Sequence, residues 1–168
     1  MRTAREWATL GFCLFAVAAV AVAQTRKAGL WETTAKMTWL QSPMPAGMGG
    51  AIPGGNAPPQ ITRFCLTQEQ IDKYGTAPPQ THGDCKVTNI VKTGHAMTAD
   101  MVCAGKTNGK GTIEASWNDS EHAKGKVHFV GSMQAGPNFK PIEWLVESTS
   151  IFKGADCGDV KPVPLQEK

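Results

Sequence analysis

The chain has 168 residues, a formal net charge of +3, 18 glycines, 11 prolines and five cysteines. That length makes one domain with a real core. No Lys/Arg run exceeds the pair Arg26-Lys27, and aromatics do not interleave with basic clusters, so nothing argues for a nucleic-acid partner.

At the N-terminus, Arg2 and Arg5 precede an apolar run from Leu10 to Ala23, and Ala21-Val22-Ala23 places small residues ahead of Gln24. Charge, apolar run and an A-x-A site form the pattern of a secretory signal peptide over residues 1–23. The run is short for a membrane span; a retained anchor is the alternative. Cys13 follows Phe12 inside the run, where a lipoprotein cysteine would need a small neighbour, so it is expected to be discarded with the leader. No second long apolar segment follows, and the exported chain is expected in the periplasm with no transmembrane segment. Cys65, Cys85, Cys103 and Cys157 remain, an even number that reads as two disulfides in an oxidising compartment. Their spacings are too wide for a C-x-x-C metal or redox site.

From residue 24 onward the elements read as follows. Residues 30–40 alternate, with Trp31, Thr33, Ala35, Met37 and Trp39 on one side and Glu32, Thr34, Lys36 and Thr38 on the other; this predicts a strand. Residues 41–60 are half Gly or Pro and are expected to form a mobile loop. Residues 61–66 make a short strand. Thr67 with Gln70 is a capping box and Gly75 a stop, which predicts a helix over 68–74.

The segment "CKVTNIVKTGHAMTADMVC", residues 85–103, folds back about Gly94 if partner numbers sum to 188. Cys85 then faces Cys103, Val87 faces Met101, Asn89 faces Ala99 and Val91 faces Met97, all on one mostly apolar face. A one-residue slip would set Val87 against Asp100. Directly opposed cysteines stand near bonding distance, which favours Cys85–Cys103 and, by elimination, Cys65–Cys157. The alternative pairs Cys85 with Cys65 and leaves Cys103 to Cys157.

Residues 105–112, "GKTNGKGT", are glycine-rich but lack the loop-to-helix context of a phosphate loop, and are read as a Gly/Lys turn. Strands follow over 111–118, 123–133 and 142–153. Folding back about Ser120 sets Trp117 by Ala123, Ile113 by Val127 and Gly125 opposite Ala115. Residues 158–168 lack periodicity and are expected to fray. The fold class is therefore mostly β: a single antiparallel meander sheet of seven strands curled into a partial barrel or a sandwich, with one short helix. The secreted β domain spans 24–157.

Catalytic signals are sparse. His82, His95, His122 and His128 are scattered, no G-x-S-x-G is present, and no carboxylates are spaced to share a proton, so no catalytic residue and no cofactor is assigned. Trp31, Trp39, Trp117, Phe129 and Trp144 are candidates to line the inner side of the sheet for a small apolar ligand or an envelope partner, with the 41–60 loop as a lid; filling the core is their other use. Met37, Met44 and Met48, with His82, supply thioethers and an imidazole for an alternative role in Cu(I) handling.

"GLWE" (29–32), "CLT" (65–67), "CKVT" opening a hairpin, a cysteine closing it and a final Asp-Cys resemble the exported bacterial family called domain of unknown function 3617. The resemblance covers Ala28 to Cys157 and departs at "GADC" (154–157), where the family commonly has Gly-Asp-Cys. It implies an envelope location and four structural cysteines. The family has no established activity, so the resemblance transfers no site residue.

Overall fold

The computed structural model describes residues 26–43, 58–80 and 83–165. The expected leader and residues 44–57 of the Gly/Pro/Met loop lie outside them. The elements are β1 (Gly29–Gln41), β2 (Gln60–Leu66), α1 (Gln68–Tyr74), β3 (Cys85–Lys92), β4 (Ala96–Ala104), β5 (Thr107–Ser116), β6 (His122–Ala135) and β7 (Asn138–Gly154). They form one seven-stranded sheet in the order β2-β1-β7-β6-β5-β4-β3, antiparallel throughout. The meander β3 to β7 continues onto β1 and β2. The edge strands β2 and β3 do not pair with each other, so the sheet is open and does not close into a barrel.

Two strands begin well before the sequence expectation. β5 begins at Thr107, so most of "GKTNGKGT" is strand. Gly109 and Gly111 obscured it: glycine carries no apolar side chain to show the alternation. They are there because the ring of Phe129 lies over them. A Cβ on Gly109 would stand 2.8 Å from Phe129 Cζ, and one on Gly111 3.2 Å from its Cδ2. β7 likewise starts at Asn138, immediately after a tight Gly136-Pro137 turn in which Gly136 takes φ 67°.

The β3–β4 hairpin carries the most informative departure. Cys85 faces Cys103, Lys86 faces Val102, Val87 faces Met101 and Thr88 faces Asp100, all summing to 188 as expected. Beyond that the register shifts. Val91 faces Thr98 and Lys92 faces Met97, so the expected pairs Asn89–Ala99 and Val91–Met97 do not form. The turn explains why. Thr93 N–H donates to Ala96 O at 2.8 Å, leaving a two-residue loop, Gly94-His95, whose flanking pairs must sum to 189. The cysteines demand 188. A β-bulge at Asn89-Ile90 absorbs the extra residue, with Asn89 in the left-handed region at φ 51°. Asn is among the few side chains that tolerate that region. The β5–β6 hairpin follows expectation, with Ile113 opposite Val127 and Ala115 opposite Gly125.

The core sits on one face. Met97, Ala99, Trp117 and Ala123 form one buried cluster, Met101, Cys103, Phe129 and Ile142 a second, and Trp31, Leu66 and Ile71 a third under the helix. α1 has the expected cap at each end. Thr67 and Gln70 exchange both capping-box bonds, and Gly75 closes the helix at φ 73°. Lys92 of β3 donates to the carbonyls of Ile71 (2.9 Å) and Asp72 (2.7 Å), tying the edge strand to the end of the helix. The tail is anchored: Pro162 bridges to Cys65, and the buried Gln70 donates to Val163 O. The disulfides are Cys85–Cys103 and Cys65–Cys157, the latter closing the chain across 92 residues.

Candidate functional site

Strand register arranges the apolar face in rows that cross the sheet. One row runs Val87, Met101, Gly111, Phe129, Trp144, Trp39. The next runs Ala99, Ile113, Val127, Val146, Met37, and the one after it is small: Ala115, Gly125, Ser148, Ala35. Beyond that, Thr33 and Ser150 share a hydroxyl–hydroxyl hydrogen bond of 2.6 Å. Trp31 and Phe152 then meet edge to face at 5.6 Å beside the helix.

These rows sort the five candidate aromatics into two groups. Trp31 and Phe129 are fully buried, and Trp117 nearly so. Trp31 donates its indole N–H to Lys27 O and Trp117 donates to Gly94 O, so both are satisfied core residues. Trp39 and Trp144 differ. They are register partners on β1 and β7, both half-buried, with Trp144 stacked on Phe129 at 5.3 Å between centroids. The Trp39 Nε1–H is shielded from solvent and has no acceptor among the described residues. Met37 is half-buried in the adjoining row, opposite Val146. Met44, Met48 and His82 lie outside the described residues. Among the described residues, no group of three or more His, Cys, Asp or Glu converges as a metal site.

Near the helix, Arg26 is buried against Trp31, its guanidinium carbon 3.8 Å from the ring centroid. Nη1 donates to Thr76 Oγ1 at 2.6 Å, whereas Nε and Nη2 have no acceptor among the described residues. Desolvation pulls its pKa down to about 10.

Sequence reasoning missed the opposite, polar face. A channel of about 670 Å³ crosses it between two ladders of side chains, one of which alternates Glu114, Lys126, Glu147, Lys36 in register. A second hollow, of about 430 Å³, lies beside the β3 bulge and is lined by Asn89, Asp100, Lys110, Thr112 and His128 among others. Asn89 Nδ2 donates to Asp100 Oδ2 at 2.7 Å, and His128 Nε2 pairs with Glu143 Oε1 at 2.8 Å. Strand parity alone puts Asp100, Thr112 and His128 on one face. What sequence could not supply was the register that sets them side by side.

These features define a disulfide-stapled, open antiparallel sheet with an aromatic face and a polar face. Among the described residues, no helix is long and apolar enough to cross a membrane. The family described as protein of unknown function (DUF3617) matches residues 26–157, and the chain belongs to it. No curated protein and no solved structure matches the chain.

Proposed function

We propose that this protein is a non-enzymatic binding domain of the cell envelope, exported to the periplasm, that holds a small apolar ligand against Trp39 and Trp144. The carrying observation is that these two tryptophans, paired across β1 and β7, stay half-exposed on the face where Trp31, Trp117 and Phe129 are buried. Large aromatics left partly open beside an apolar row supply the contact area an apolar ligand needs. The two closed disulfides fit an oxidising compartment outside the cytoplasm.

The test is native mass spectrometry of protein purified from the periplasm, with tryptophan fluorescence under titration by an anilinonaphthalene sulfonate dye. A retained mass that disappears in Trp144→Ala, with dye binding weakened in the same variant, supports the reading. A bare mass together with fluorescence that the dye leaves unchanged would end it.

A further inference from the structure

We infer that the hollow beside the β3 bulge, on the face opposite the tryptophans, is a second binding site, and that it takes an uncharged polyhydroxylated ligand, a saccharide unit. The bulge is what builds it. Its left-handed Asn89 lies beside Asp100, and the Asn89 amide donates to one carboxylate oxygen while acceptor capacity remains on the carboxylate. Thr112 stands directly opposite Asp100 on β5, and its hydroxyl makes no hydrogen bond among the described residues. His128 is opposite Thr112 on β6, held through Nε2 by Glu143, and its other ring nitrogen makes no hydrogen bond among the described residues. Lys110 lies one row away with no ion pair among the described residues, flanked in register by the exposed Val102 and Val130.

This set of groups selects by charge and by hydrogen-bond type. A simple anion meets Asp100, and a simple cation meets Lys110. A sugar hydroxyl both donates and accepts, so it can give its proton to Asp100 and take one from Thr112 or Lys110. The two valines offer apolar surface for the C–H face of a sugar ring. At about 430 Å³ the hollow falls in the size range of small-ligand sites.

The experiment is an amide chemical-shift titration of isotope-labelled protein with glucose, galactose and N-acetylglucosamine, and separately with glycine and with inorganic phosphate. The expected result is saturating shifts at Asn89, Asp100 and Thr112 with at least one sugar, at a dissociation constant of about 1 mM or tighter. Two variants separate binding from folding. Asn89→Gly keeps a residue content with positive φ but removes the amide, and Thr112→Val removes the hydroxyl with little change of shape. Thr112→Val, which removes a hydroxyl that bonds the sugar, and Asn89→Gly, which removes the amide that orients the Asp100 carboxylate, should each weaken sugar binding about five- to tenfold while melting within about 2 °C of wild type. The inference is overturned if no sugar gives saturating shifts, if glycine or phosphate gives them instead, or if both variants bind sugar as wild type does.

Discussion

Gly131→Ala is the substitution on which the packing argument is most exposed. Gly131 faces Gly109 across β5 and β6, under the edge of Phe129. An added Cβ would stand 2.2 Å from Asn108 O, 2.9 Å from Gly109 Cα and 2.9 Å from Phe129 Cε1. Two effects oppose each other. Alanine restricts the unfolded chain and should favour the strand by roughly 0.5–1 kcal/mol. Against it, overpacking costs typically 1–3 kcal/mol, and here the nearest atom is backbone, which cannot swing aside. The clash should win, with a net loss of about 1–2 kcal/mol and a melting temperature lower by roughly 3–8 °C. The assay is thermal denaturation of the oxidised protein followed by circular dichroism. Repeating it in a Phe129→Leu background identifies which contact dominates. The smaller side chain relieves the ring edge but not Asn108 O, so most of the loss should persist. A Gly131→Ala protein melting at or above wild type would refute the close approach of β5 and β6. Full rescue by Phe129→Leu would place the conflict in the ring alone.

Three further outcomes follow from other parts of the molecule. Replacing both Cys85 and Cys103 by serine should destabilise the protein by about 3 kcal/mol in the chain-entropy model, read as a lower urea midpoint; an unchanged midpoint would show the clip to be redundant. Arg26→Met should melt no lower than wild type, because it removes a buried cation with two nitrogens unpartnered among the described residues while keeping apolar contact with Trp31; a clear drop in the melt would show that the stacked cation outweighs its desolvation. The Asp119 carboxylate is held below its ordinary pKa, first by the backbone N–H of Glu121 and then by the N–H and ring of His122. A depressed carboxylate pKa contributes stability that is present above the unfolded value and is lost as pH falls through the folded one. Asp119→Asn should therefore lower stability in the neutral range and converge on wild type below about pH 4, which flattens the acid limb; a pH–stability profile parallel to wild type would refute the assignment.

Most of the strand pattern was legible because a half-buried strand writes its parity into the sequence. Residues 30–40 and 123–133 alternate cleanly, and the helix announces itself through Thr67, Gln70 and Gly75. Opposed cysteines gave the β3–β4 register at its open end. The same hairpin shows where such reading stops. Cysteine register and turn length each specify a pairing, and here they differ by one residue; nothing in the alternation of β3 reports the conflict, since Ile90 and Val91 are both apolar and both exposed. The start of β5 was hidden for a related reason: where Phe129 supplies the apolar mass over Gly109 and Gly111, the strand beneath it has no apolar residues to show. Of the five aromatics, sequence put all on one face but could not divide them, because burial depends on what α1, its closing Gly75 and the β3–β4 turn bring over that face.

That division bears on function more than the sheet does. Trp31 and Trp117 are covered by elements distant in the chain, Trp31 by the helix after β2 and Trp117 by the helix-closing Gly75 and the β3–β4 turn, and each finds an acceptor for its indole N–H. Trp39 lies toward the other end of β1, where α1 does not reach; it is half-exposed and its N–H has no acceptor among the described residues. A buried polar group without a partner costs stability wherever it occurs. Its occurrence at the one register pair of half-exposed tryptophans ties the unmet hydrogen bond and the open apolar surface to the same place on the sheet.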